Sequence, residues 1–269
     1  MNHPQSRIVV GIDGSDAAIN AAKWAVAEAI SRDIPLRLTH AIPRRPDAPA
    51  GDESLDVEYA EMALHGAAAA LHAVDEAVKV ETEIVYGSPG SILIDESRSA
   101  AMVCVGSVGI GRVARKLLGS TAEAVARKAR CPAAVIRTGH NDVVSDSAWI
   151  AVVVDDSPAN EAVLEQGFRE ANLRGAPILA MGVWRWGLGE IRYEHLNRRL
   201  DRWVSRYRGL HVQPAAARHG VAEFLGRTGE PIQLAVVGSD DAGDVARMVG
   251  PVAFHVPRRD GHSVLVVPN

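Results

Sequence analysis

Residues 8–43 recur at residues 150–185 with a constant offset of 142 and no gap. This duplication limits what the 269-residue chain can fold into more than any other feature. Nine of the 36 aligned pairs are identical: Ile8/Ile150, Val10/Val152, Asp13/Asp155, Ser15/Ser157, Ala17/Ala159, Glu28/Glu170, Ala29/Ala171, Arg32/Arg174 and Pro35/Pro177. Chance at ordinary composition gives roughly two or three. Val105-Gly106-Ser107 then meets Val237-Gly238-Ser239 at an offset of 132, and the run Ala133-Ala134-Val135-Ile136 meets Val264-Leu265-Val266-Val267. Order and spacing both recur, so one domain is folded twice. The expected division is a first domain over 1–138, a polar linker over 139–148 and a second domain over 149–269.

Within the first copy, Arg7–Ile12 is a short, continuously apolar run, as a strand buried on both faces requires. Asp13-Gly14-Ser15-Asp16 ends it, with Ser15 or Asp16 placed to cap a helix from Ala17 to about Ser31 whose apolar face includes Ile19, Ala22, Val26 and Ile30. A strand over 35–42, a loop over 43–56, an Ala-rich helix over 57–78 and a strand over 81–86 follow. A helix from Ser91, a buried strand over 101–105, a helix including 123–128 and a strand over 133–136 complete the copy. Strands alternating with helices predict a parallel, doubly wound α/β sheet, built twice.

Charge and composition exclude several functions. Residues 1–140 hold 15 Lys+Arg against 17 Asp+Glu, and the remainder 14 against 16, so each part carries a formal charge of −2. Nucleic-acid coating needs a cationic excess that neither part has. Aromatics make up 4% of the chain, too few for base-stacking platforms. Cys104 and Cys131 lie in or beside apolar runs, without a CxxC or a disulfide framework, and read as reduced core residues. No apolar run reaches the ~18 residues of a membrane span, so a soluble, cytoplasmic protein is expected. His65 and His72 stand seven apart, which does not suit the i, i+4 pairing of helical metal ligands.

The strongest chemical signal follows the fourth strand. Gly106 to Thr121 has the form G-x2-G-x9-G-[ST], with Gly106, Gly109 and Gly119 in the glycine positions and Ser120 after them. Glycines at a strand end allow sharp turns and let backbone N–H groups approach an anion without a Cβ in the way. Ser120 is placed to cap the next helix, whose unpaired amides and positive dipole end face the same anion. Arg112, Arg115 and Lys116 add positive charge. The loop is neither Walker A nor a Rossmann fingerprint. Asp13 and Gly106 both fall at carboxyl ends of strands, where open parallel sheets bind ligands. A binding role for Asp13 is favoured over orienting an attacking water, because no catalytic lysine or base accompanies it.

Val10-Gly11-Ile12-Asp13-Gly14-Ser15, Val105-Gly106-Ser107, the glycine loop and Cys131-Pro132-Ala133-Ala134-Val135-Ile136 together resemble the universal stress protein family, in its tandem-domain form and its ATP-binding branch. The resemblance implies a five-stranded, parallel, adenine-nucleotide alpha-hydrolase-like domain in each half. It implies that Gly11, Ile12 and Asp13 hold adenosine with the backbone near Ala41. Val105, Gly106, Gly109, Arg112, Gly119, Ser120 and Thr121 would hold ribose and the phosphates of ATP, with Mg2+ as a companion ion. It also implies fifth strands that pair between domains as an internal pseudo-dimer, with further homodimerisation and an unknown protein partner left open. The second copy departs from the pattern. Asp241 stands where the second glycine belongs, and Pro251 and Val252 where the third glycine and serine belong. A one-residue gap aligns Gly250 but leaves Pro251 after it. Asp240, Asp241 and Asp244 would repel a triphosphate, so that site reads as weak or lost, with Trp184 and Trp186 available to fill it. Arg192, Arg198, Arg199, Arg202 and Arg206 surround the apolar face Ile191, Leu196, Leu200, Trp203 and Tyr207 and read as a solvated helix surface. The function expected is a stress-responsive ATP-binding regulator. A slow ATPase or nucleotide-dependent transferase, and a ligand-free interaction scaffold, are the alternatives.

Overall fold

The structure is a computed structural model that describes residues 6–44, 52–108, 118–137, 148–183, 193–250 and 262–269. The chain divides into two compact units, Met1–Thr138 and Gly139–Asn269. All of the expected linker except Ala148 lies outside the described residues.

In the first unit the order is β1 (Ile8–Gly11), α1 (Asp16–Arg32), β2 (Leu36–Ile42), α2 (Asp52–His72), β3 (Val80–Tyr86), α3 (Pro89–Glu96), β4 (Met102–Gly106), α4 (Ser120–Lys128) and β5 (Ala133–Ile136). The five strands are parallel in the order β3-β2-β1-β4-β5. β1, β4 and β5 are buried almost throughout, which is why they read as unbroken apolar runs, whereas edge strand β3 is largely exposed. Helices cover both faces. A Cβ on Gly11 would meet Leu93 of α3, and one on Gly106 would meet Ala17 of α1.

The second unit repeats this plan with β6 (Trp149–Val154), α5 (Asn160–Arg174), β7 (Ile178–Gly182), α6 (Tyr193–Arg206), β8 (Val212–Ala216), α7 (Val221–Arg227), β9 (Ile232–Gly238), a 3₁₀ turn (Ser239–Asp244), α8 (Val245–Val249) and β10 (Ser263–Val267). Its parallel order is β10-β9-β6-β7-β8. The α/β reading and the five-stranded parallel sheet in each half hold.

Three local readings need correction. The helix expected over 57–78 runs instead over Asp52–His72, so the loop expected over 43–56 is shorter. On α1 the buried stripe is formed by small residues (Ala17, Ala18, Ala21, Ala22, Ala25 and Ala29, with Val26), while Ile30 is 41% exposed. The small alanines form the face of α1 that packs on the sheet, and Ile30 lies off that face. Third, Arg199 of α6 is not simply solvated: it bonds the carbonyl of Ser157 and pairs with Glu161. Cys104 and Cys131 are both buried, and burial pushes the Cys131 thiol up to about 12.

Candidate functional site

β1 and β4 are neighbours, with Val10 opposite Cys104, so Asp13 and Ser107 leave the sheet side by side. From β1 the chain proceeds to β2 and β3 on one side, and from β4 to β5 on the other. The strand order reverses here, which is where open parallel sheets bind ligands.

Asp13 organises the first loop. Its Oδ1 accepts from the Ser15 amide at 3.0 Å and from the Ser15 hydroxyl at 2.6 Å. Ser15 Oγ in turn accepts from the Ala18 amide at 3.2 Å, which caps α1. Gly14 turns the chain at φ +84°, and any side chain there would collide with the Tyr59 hydroxyl. The Ile12 amide donates to Thr39 O at 2.9 Å, which ties the loop to β2, where Ala41 sits near the carboxyl end opposite Val85.

The second loop leaves β4 at Gly106. A Cβ there would lie 2.7 Å from the carbonyl carbon of Ala17, so this glycine admits the start of α1 against the strand end. Val105, one residue earlier, is buried and faces Gly11. Gly119 closes the excursion by donating its amide to Ser107 O at 2.8 Å. Ser120 does not cap the following helix: Gly119 is the N-cap, without a side-chain bond, and Ser120 is the first helical residue. The chain is in extended geometry at Gly119 (φ −72°, ψ 151°), so the cap falls one residue earlier than the hydroxyl suggested. Glu123 bonds back to Gly119 O, leaving the amides of Ser120, Thr121 and Ala122 at the dipole end of α4. Gly109, Arg112, Arg115 and Lys116 lie outside the described residues.

Two residues that the sequence did not single out join this edge. Tyr59 of α2 donates to the Asp13 carbonyl at 3.1 Å and meets the His40 ring edge-on at 5.9 Å. His40 is buried, and its Nδ1 has no hydrogen-bond partner among the described residues, nor has the hydroxyl of Thr39. Burial pushes the His40 pKa below the ordinary imidazole value, against the opposing pull of Asp13, the Ile12 backbone and Asp56. Nothing local in the sequence marks Tyr59, which stands 46 residues from Asp13 and reaches it only because α2 packs on β2.

The matching edge of the second unit is built differently. Asp155 Oδ1 accepts from the Ser157 amide at 2.9 Å, which repeats the Asp13 turn. Beyond Gly238, however, the chain enters the 3₁₀ turn at once, with Asp241 and Ala242 buried, and continues into the five-residue α8. Gly250, the nearest match to Gly119, ends a helix where Gly119 begins one. Trp184, Trp186, Ile191, Arg192, Pro251 and Val252 lie outside the described residues. Among the described residues, no group of three or more His, Cys, Asp or Glu side chains is arranged to hold a metal ion.

The model of the universal stress protein family matches residues 5–137. Universal stress protein Rv2624c of Mycobacterium tuberculosis is 48% identical over 261 residues, covering 97% of this chain and 95% of that protein. The chain belongs to the universal stress protein family. Among solved structures, a universal stress protein from Archaeoglobus fulgidus shares the fold across 98% of this chain and 96% of its own, with a TM-score of 0.68 at 16% identity. A universal stress protein solved in complex with cAMP covers 51% of this chain at 25% identity, with a TM-score of 0.41. This universal stress protein carries two domains of one fold, and they differ at the carboxyl edge of the sheet. No described helix is long and apolar enough to cross a membrane.

Proposed function

We propose that the first domain binds ATP and that the protein is a stress-responsive, nucleotide-dependent regulator. One observation supports this reading: β1 and β4 are neighbours, so the loops carrying Asp13 and Ser107 start side by side, and the Gly119 amide bonded to Ser107 O ties the start of α4 to that strand end. Asp13 is held by Ser15 in a fixed orientation and accepts from the ribose hydroxyls. Ser120 and Thr121 donate backbone N–H groups to phosphate oxygens, favoured by the α4 dipole. Gly11, which admits Leu93 of α3 against the strand, and Ala41 would offer backbone to the base, and Gly109 and Arg112 would complete the phosphate side. Gly119, whose own amide is taken by Ser107, fixes where α4 begins. ATP would supply a polyanion, with Mg2+ as counter-ion, that draws the loop and the helix start together. The second domain, with its 3₁₀ turn and carboxylates in that place, leaves one site per chain.

Mass analysis of the nucleotide released by denaturing the purified protein tests this reading. An adenine nucleotide is expected, and none would favour a ligand-free scaffold. Titration calorimetry of the wild type and Gly109→Asp then locates the site. Micromolar binding, about −8 kcal/mol, is expected for the wild type and lost in the variant. Equal heats would refute the loop assignment, and turnover at ~1–10³ s⁻¹ would favour an enzyme.

A further inference from the structure

The Asp13 turn is held by neighbouring elements as well as by Ser15. The Ile12 amide donates to Thr39 O of β2 at 2.9 Å. One residue later, the Asp13 carbonyl accepts from the Tyr59 hydroxyl at 3.1 Å, across 46 residues of chain. Tyr59 lies in the first half of α2, which packs on β2 and on α1. The phenol therefore grips the main chain at the residue that bears the carboxylate.

Two further features fit this grip. Gly14 stands at φ +84°, and a Cβ there would fall on the Tyr59 hydroxyl, so the turn admits the phenol only because its third residue has no side chain. The Tyr59 ring also meets the His40 ring edge-on, at 5.9 Å and 69°. His40 is buried and follows Thr39 in β2, so the phenol is seated on the strand that holds Ile12. Tyr59 itself is 42% exposed, which places it poorly to serve the core and well to hold the turn.

We propose, resting on the reading that nucleotide binds at the Asp13 turn, that Tyr59 is a positioning residue of that site and transmits its occupancy to α2. The Asp13 carboxylate is aimed by the main chain that carries it, fixed before it by Thr39 and after it by Tyr59. Released by the phenol, the turn samples more orientations, and a ligand has to restrict them on binding, which weakens affinity. The coupling is reciprocal: a ligand that holds Asp13 also steadies the carbonyl on which Tyr59 docks, and with it the first half of α2. Every residue involved lies within the first unit.

Amide hydrogen exchange read by NMR on the full chain, with and without ATP, tests this together with titration calorimetry. Tyr59→Phe keeps the ring on His40 and removes only the hydroxyl. Met62→Ala, on the same helix and 66% exposed in the wild type, is the control and should behave as the wild type throughout. Without nucleotide, Tyr59→Phe should speed exchange about threefold or more at the Ser15 and Ala18 amides, which close the turn and its cap. Interior α1 amides such as that of Ala25 should exchange as before, which separates a local release from a general loss of stability. With ATP, the wild type should slow exchange over residues 56–63 of α2 and bind about three- to tenfold more tightly than Tyr59→Phe. Unchanged exchange at Ser15 and Ala18 in Tyr59→Phe would overturn the positioning role. Equal ATP affinity in the two proteins, or binding that leaves α2 exchange unaltered, would overturn the coupling. A wild type that takes up no ATP would overturn the nucleotide reading and the coupling together, while the nucleotide-free exchange still decides whether Tyr59 holds the turn.

Discussion

Gly106 illustrates how far a single residue can be read before the fold is known. Its place in a glycine loop was visible, but its structural reason was not, because Ala17 approaches it only when α1 folds back over β4. Gly106→Ala should lower stability by about 1–3 kcal/mol, as overpacking does, seen as an earlier urea midpoint even without nucleotide. An unchanged midpoint would mean that α1 can shift at no cost. His40 and Tyr59 were illegible for a related reason: their contacts with the Asp13 turn join distant parts of the chain through α2 and β2. His40 makes the first domain sensitive to acid. Its folded pKa lies below its unfolded value of 6.5, so on acidification the unfolded chain takes up the proton first. The stabilisation from keeping His40 neutral is present above pH ~6.5 and is lost as pH falls toward the folded pKa. Denaturant melts compared at neutral and mildly acidic pH should show this loss, and His40→Gln should reduce its slope.

At the scale of elements, the buried strands were legible because they carry continuous apolar runs, and a cap at Ser15 or Asp16 because both residue types are favoured there, the structure using Ser15. Ser15→Ala removes both the cap on Ala18 and the hydroxyl bond to Asp13. It should cost about 1 kcal/mol of stability and weaken nucleotide binding as well, a pairing that chemical denaturation and calorimetry can read together. The ends of α2 were misplaced for physical reasons. Asp52-Glu53-Ser54 has the composition of a loop, yet acidic residues in a first helical turn are favourable. At the other end, the Asp75 side chain accepts from the Ala77 amide at 2.8 Å, a local turn that competes with helix. The repeat also preserved an interaction. Glu28–Arg32 pairs at 3.0 Å and Glu170–Arg174 at 3.2 Å, with both glutamate side chains fully buried. Arg174→Ala should cost about 3–5 kcal/mol by stripping the charge partner from a buried carboxylate. A cost below about 1 kcal/mol would show that the other partners of Glu170, among them Gln166, which donates to its other oxygen, hold the carboxylate without the arginine.

For the whole molecule, two domains of one fold differ at the same edge of their sheets: one offers a helix start, the other a 3₁₀ turn holding carboxylates. The duplication and the loss of the second glycine pattern were both readable in the sequence. The 3₁₀ turn beyond Gly238 was not, because it depends on burying Asp241 and Ala242. The most direct test is calorimetric titration of ATP into the wild type, Thr121→Asp and Asp241→Gly. A carboxylate at Thr121 suits the α4 dipole, so the fold should be kept while phosphate is repelled. The account predicts one site per chain in the wild type, a loss of at least tenfold in affinity for Thr121→Asp and no change for Asp241→Gly. Binding that survives Thr121→Asp, or a second site filled in the wild type, would contradict it.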